Sequence, residues 1–347
     1  MNSIEHEKFC MEIPKAELHI HIEGSFEPEL MFKIAKRNKI EIPFKSVEEI
    51  REKYNFKNLQ EFLDIYYAAC DVLKTEDDYE ELVYEYLKKS FTQGLVYCEI
   101  FFDPQSHLPR GVSFETLING LNKGREKGLK DFRIKSQLIM CFLRHLSENE
   151  AIETLEAALP FKESILAIGL DSSEVGHPPE KFTNVYKLAK EQGYRLCAHA
   201  GEEGTCQNIK KAIINLGVER IDHGIAIFND LEYLKQIASL EKPIPFTMCP
   251  LSNYKLQVTP DLSIYPLRVA LENNLMCTIN SDDPAYFGGY VGDNFVALYK
   301  NIKLTYDEII KLAKNSFLAT FLDESEKKEY LERVDEYQKT SLNKSLI

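Results

Sequence analysis

Short apolar runs and amphipathic helical patterns alternate along almost the whole of this chain, and that alternation restricts its fold more than any other feature. The strand candidates are Ala16–His21, Leu95–Phe102, Ile134–Cys141, Ile165–Leu170, Arg195–His199, Arg220–His223, Pro245–Met248 and Met276–Asn280. Between them lie segments of helical period, among them Tyr79–Phe91, Phe114–Lys127, Glu148–Ala158, Lys181–Gln192, Ile209–Leu216 and Leu231–Leu240. Parallel strands need a crossover between them, so strand–helix repetition implies a parallel sheet of the α/β class. Eight such units suggest a closed (β/α)8 TIM barrel; an open, doubly wound sheet is the alternative, because closure cannot be read from a sequence. The 347 residues suit one barrel domain, 1–347. Extra helices are expected as an insert at about 27–90, after the first strand, including Leu59–Val72, and again at about 306–340 at the C-terminal end.

Charge and cysteine usage remove several classes of function. Net charge is −13, from 42 basic and 55 acidic residues, which opposes an extended footprint on a phosphate backbone. Nucleic acid is therefore not an expected partner. The eight cysteines are scattered, several in apolar runs, and no Cys-x-x-Cys occurs, so buried free thiols are expected rather than a cysteine metal cluster. There is no basic-then-apolar leader and no apolar run long enough to span a membrane, which suggests a cytoplasmic, membrane-free protein.

Polar residues collect where the candidate strands end, the face on which such barrels carry their chemistry. The first strand ends in His19 and His21, whose spacing of two puts both imidazoles on one face. The fourth runs into Asp171-Ser172-Ser173-Glu174, the fifth into His199-Ala200-Gly201-Glu202, the sixth into Asp222-His223-Gly224, and the eighth into Asp282-Asp283-Pro284. Three imidazoles and a carboxylate (His19, His21, His199, Asp282) make a sound set for one divalent metal that must also hold water; zinc or iron both suit those donors. Such an ion lowers the pKa of its water toward ~7. His223 is placed to orient that water and take its proton, and Glu202 to act as general acid if burial raises its pKa. Taken singly, each residue has a plainer reading. Asp282-Asp283-Pro284 is also a good helix-capping turn, and Glu202 beside Glu203 an ordinary exposed acidic pair.

Five segments together resemble the adenosine/adenine deaminase family of metal-dependent amidohydrolases: Pro14-Lys15-Ala16-Glu17-Leu18-His19-Ile20-His21, His199-Ala200-Gly201-Glu202, Arg220-Ile221-Asp222-His223-Gly224, Met248-Cys249-Pro250-Leu251-Ser252-Asn253 and Ser281-Asp282-Asp283-Pro284. The resemblance spans roughly residues 10 to 320 in the family's order. It implies a zinc-dependent barrel, one ion per chain, that replaces the 6-amino group of a small-molecule purine with oxygen. His19, His21, His199 and Asp282 would hold the ion, with Fe2+ possible in place of Zn2+. Glu202 would protonate purine N1, His223 would handle the attacking water, and Asp283 would partner N7. Gly201, next to Glu202, is expected at the substrate.

The stretch Gly169–Pro179 resembles the adenine deaminase branch, where adenosine deaminases carry a glycine in place of Glu174. A carboxylate there is expected to accept the N9 hydrogen that only a free base possesses, and to fill space near a ribose. Glu23 stands where adenosine deaminases use an aspartate for the ribose 5′-hydroxyl. Free adenine is thus the expected substrate, giving hypoxanthine for purine salvage. Adenosine, N6-substituted adenines and a catalytically silent binding relative remain alternatives, and the oligomeric state is not legible.

Overall fold

A computed structural model of the protein describes residues 3–344. Eight strands, β1 (Lys15–His21), β2 (Leu95–Phe102), β3 (Lys135–Leu143), β4 (Ile165–Asp171), β5 (Arg195–Ala200), β6 (Arg220–His223), β7 (Phe246–Met248) and β8 (Cys277–Ile279), pair in parallel in sequence order. Every expected strand is present, most within one or two residues of its expected ends. The sheet closes just beyond β8: the amide of Asp282 donates to His19 O at 3.1 Å, and the amide of His21 donates to Asp282 O at 3.0 Å. That closure makes the fold a (β/α)8 barrel and removes the open-sheet alternative. It also binds the β1 histidines to Asp282 through the main chain, before any side chain is considered.

The strands read as continuous apolar runs because both of their faces are buried. Inside the barrel, Phe101, Ile139, Cys141, Ala167, Cys197 and Phe321 pack into a cluster of their own, separate from the larger core between strands and helices. Below it the Arg220 guanidinium pairs with Glu99, both fully buried, and Phe321 N donates to Glu99 at 2.7 Å. Packed side chains and this ion pair fill the lower barrel, leaving the C-terminal strand ends as the floor of a site.

The expected insert divides in two. Its last helix, Glu76–Phe91, is the barrel's own crossover between β1 and β2 and packs along Phe114–Phe132. Gly120, Gly124 and Gly128 make that contact possible: a Cβ at each would lie within 2.7 Å of Glu76, Glu80 or Leu87 atoms of the facing helix. The true insertion is the stretch before it, with helices Pro28–Asn38, Val47–Lys53 and Leu59–Ala69; the first two were not legible from periodicity. The C-terminal helices are Tyr306–Leu318 and Glu324–Lys344, as expected. All eight cysteines are buried free thiols. Among the described residues no helix is long and apolar enough to cross a membrane.

Candidate active site

The strand ends carry their polar groups on a sharply turned backbone. Ser172, His223 and Asp282 have φ of 71°, 58° and 65°, and Gly201 has 72°. Left-handed backbone in a non-glycine residue costs energy and tends to gather where the surroundings hold a functional geometry. Here it aims successive side chains inward at the top of the barrel.

His19, His21, His199 and Asp282 meet at one point, all buried. Asp282 Oδ1 lies 3.0 Å from His19 Nε2 and 3.4 Å from His21 Nε2, and the Nε2 atoms of His21 and His199 are 3.2 Å apart. Outer partners fix which nitrogen is left over. Thr247 donates to Asp222 at 2.8 Å, so its oxygen accepts from His19 Nδ1–H at 2.9 Å; Asp171 Oδ2 lies 3.4 Å from His21 Nδ1. With the protons on Nδ1, both Nε2 atoms point lone pairs at a carboxylate oxygen, and His19 Nε2 has no hydrogen-bond partner. Converging lone pairs are repulsive unless a cation stands among them. Donors bound at about 2.0–2.2 Å to a common ion lie roughly 3.0–3.4 Å apart, the spacing found here. Burial depresses His21 to about 4 and pushes His199 well below its usual value, so these imidazoles are neutral and ready to ligate. For Asp282 burial acts upward, but His19 and His223 outweigh it and hold the carboxylate ionised. The four residues fit a divalent metal.

His223 stands beside them. Its Nδ1 lies 3.3 Å from Asn253 Nδ2, while Asn253 Oδ1 accepts from the Tyr265 hydroxyl at 2.9 Å. Neutral His223 therefore keeps its proton on Nε2, which lies 3.6 Å from both Glu202 Oε1 and Asp282 Oδ2. The Glu202 carboxyl is buried, and burial, then the charges of Asp282, Glu203 and Glu174, push its pKa well up, which favours its neutral acid form. Asp283 is raised likewise, by burial and by adjacent Asp282. Gly24 lies directly against it, since a Cβ there would be 1.9 Å from Asp283 Oδ1.

These groups border a tight cavity of about 30 Å³. Its floor holds His21, His199, Glu202, His223, Asp282 and Asp283, and its far wall Asp103, Asp171 and Ser172. Leu59, Phe62, Leu63, Tyr66 and Tyr67 of the inserted helix Leu59–Ala69 cover it. Asp103, Asp171 and this aromatic cover were not singled out from the sequence. The signal for Asp103 was present, because Asp103-Pro104 repeats the Asp283-Pro284 pattern: a strand-end aspartate before a proline that opens a four-residue helix.

Three expected substrate contacts are corrected. The Glu174 carboxylate does not face the cavity. It accepts from the amides of Gly201 (2.8 Å), Glu202 (3.0 Å), Glu203 (3.1 Å) and Gly204 (2.8 Å), and from Asn208 Nδ2 (2.8 Å). Five donors consume its lone pairs, so it organises the loop that carries Glu202. The Gly201 amide is one of those five, and the residue serves as the turn out of β5. Glu23 is buried behind the wall, taken up by His107 Nε2 at 2.8 Å and the Asp103 amide at 3.2 Å. Burial works to raise its pKa, but the hydrogen bond and charge of His107 win and hold it below the ordinary range. The other seven expected residues stand together at the barrel mouth.

Residues 14–337 match the profile of the family described as adenosine deaminase. The chain belongs to this family. It is an enzyme of the adenosine deaminase family by relatives as well as by profile. It is 52% identical over 324 residues to an adenine deaminase of Acinetobacter baylyi, covering 93% of this chain and 97% of the relative. It is likewise 52% identical over 322 residues to an adenine deaminase of Wolinella succinogenes, again covering 93% and 97%. The crystal structure of an adenine deaminase from Arthrobacter aurescens superposes with a TM-score of 0.92 at 45% identity, covering 94% of this chain and 99% of that one.

Proposed function

We propose that this family member hydrolyses the 6-amino group of free adenine, yielding hypoxanthine and ammonia for purine-base salvage, with one zinc ion per chain. The observation that carries the reading is the join of two facts. Relatives of near-equal length at about half identity bear the name adenine deaminase, and the cavity is small and covered by aromatic and leucine side chains. Zinc is the ion of choice for three neutral imidazoles and a carboxylate, and Fe2+ shares those donors. When bound by His19, His21, His199 and Asp282, the ion supplies Lewis acidity and lowers the pKa of water at neutral pH.

The chain's own residues do the rest. Neutral Glu202 delivers its proton to N1, drawing electrons from C6 as oxygen adds there. Once ionised, it can take up the proton of the hydroxyl added at C6 and pass it to the departing nitrogen, so that C6 becomes a carbonyl as ammonia leaves. The other proton of the water restores Glu202 to its acid form. His223, with its donor Nε2–H between Glu202 and Asp282, fixes the orientation of the attacking water. Asp283, protonated by its surroundings, donates to N7 and withdraws further density from the ring. The low-dielectric floor strengthens each of these interactions. The inserted helix Leu59–Ala69 acts as a lid that admits the base and excludes bulk water.

The test is ammonia release by zinc-loaded protein, with kcat/KM for adenine measured against adenosine. A strong preference for adenine is expected. A preference for adenosine would overturn the substrate assignment and leave the C6 chemistry standing.

A further inference from the structure

With Glu174, Gly201 and Glu23 engaged elsewhere, nothing yet recognises the purine edge farthest from C6. C6 lies over the metal-binding point, with N1 toward Glu202 at the end of β5 and N7 toward Asp283 beyond β8. The opposite edge, N3 and N9, is thereby turned to the remaining wall: Asp103 after β2, with Asp171 and Ser172 at the end of β4. Ser172 Oγ is already bonded, to the Tyr67 hydroxyl at 3.1 Å and His145 Nδ1 at 2.8 Å. Asp171 Oδ2 faces His21 Nδ1.

Asp171 Oδ1 also has no hydrogen-bond partner among the described residues, but Asp171 Oδ2 ties that residue to His21 of the metal-binding set. Asp103 is 2% exposed, lines the cavity, and its Oδ1 too lacks such a partner, while the carboxyl is not spent on orienting a metal-site histidine. Its surroundings hold it in place: the Asp103 amide donates to Glu23, and the Tyr66 hydroxyl lies 3.5 Å from both Asp103 Oδ2 and Glu23 Oε2. His21, Asp103 and Asp171 lie close enough together to suggest a second cation site. However, the His21 lone pair is turned into the first site, leaving two carboxyl groups and no imidazole. An organic N–H donor suits the wall better.

We infer that Asp103 accepts the N9–H of the bound base and is thereby the residue that selects free purine bases over their N9-substituted forms. This rests on the adenine reading above and deepens it. A carboxyl oxygen keeps an acceptor lone pair whether ionised or neutral, so the contact does not depend on its protonation. An N9 substituent removes the donor and strands a buried acceptor. It also pushes carbon against Asp103 and the Tyr66 cover. A site built to bond a group rejects an analogue lacking it far more strongly than a merely apolar pocket can.

The experiment separates this inference from the reaction. Ammonia release from adenine tests the reaction. Calorimetric binding of hypoxanthine and 9-methylhypoxanthine to the zinc-loaded enzyme, neither of which has an amino group to lose, tests Asp103. Wild type is expected to favour hypoxanthine by about 5- to 150-fold, the range for stranding a buried acceptor. In Asp103→Ala that ratio is expected to fall to near one, and Asp103→Val, which also offers no acceptor, reads the same way should the alanine variant fail to fold. Equal binding of the two ligands by wild type overturns the inference, even if adenine is turned over. So does a variant that weakens both ligands but keeps their ratio, which is what a purely structural role for Asp103 predicts.

Discussion

Replacing Glu174 with glutamine separates a loop-organising carboxylate from a substrate-binding one. In the structure Oε2 accepts three amides, those of Glu202, Glu203 and Gly204, while Oε1 accepts Gly201 N and Asn208 Nδ2. Glutamine can keep its oxygen toward the three amides. Its NH2 must then face the Gly201 amide donor, although the Asn208 amide can flip to accept. The variant loses the charge assistance of three bonds and leaves one buried donor facing another. Bonds to charged groups contribute about 1.5–3 kcal/mol each and a stranded buried group costs about 1–3, with incomplete additivity. A loss of roughly 2–4 kcal/mol in urea unfolding follows. The Glu202 backbone belongs to the same loop, and a displacement of ~1 Å at a reacting group can cost about 100-fold in rate. So kcat should fall by about that factor on every substrate, with the ratio of adenine to adenosine kcat/KM unchanged. A Glu174→Gln or Glu174→Gly protein of normal stability whose preference moves toward adenosine would refute this reasoning and restore Glu174 to the substrate.

Three other perturbations follow from the site. Glu202→Gln should retain its metal by elemental analysis yet lose about 100- to 10,000-fold in kcat, the usual worth of a general acid; near-normal turnover would remove Glu202 from proton delivery. Gly24→Ala places a methyl 1.9 Å from Asp283 Oδ1, so the carboxyl must swing away from N7. There kcat/KM should drop at least tenfold with metal content unchanged, whereas unaltered kinetics would show that Asp283 does not need its present position. In metal-free protein, burial holds His21 at about 4 and His223 at about 3, against 6.5 for an exposed imidazole. Both rings should therefore stay uncharged well below pH 6.5, read from their imidazole C–H shifts in an NMR pH titration, because in overall stability the raised carboxyls of Glu202 and Asp283 act with the opposite sign. A ring that titrates near 6.5 after chelation would contradict neutral buried imidazoles.

What the sequence discloses here depends on whether a role is set by one strand or by several. His19 and His21 are legible because a period of two fixes their common side, and β1 lies at the barrel seam where Asp282 bonds its main chain. The same logic brought out His199, His223 and Asp282, each at the end of a strand whose neighbours were already counted. Glu174 and Glu23 were placed correctly along the chain and wrongly in space. A strand end locates a carboxylate within a few ångströms of the site but does not say whether it turns toward the cavity or toward the loop behind it. That choice belonged to partners distant in sequence, the 201–204 amides for one and His107 for the other. Asp103 fails in the opposite sense, because β2 ends in an apolar run, Ile100-Phe101-Phe102, that reads as core up to the final turn. Its likeness to Asp283 acquires meaning only once closure of the barrel sets both Asp-Pro turns around one cavity. Donors and acceptors in such a site are thus assigned by subtraction. When every bond within the protein has been counted, the buried polar atoms left without a partner are the ones free to meet a ligand; in the far wall of this cavity these are Asp103 Oδ1 and Asp171 Oδ1, and Asp171 is already tied to His21 through its other oxygen.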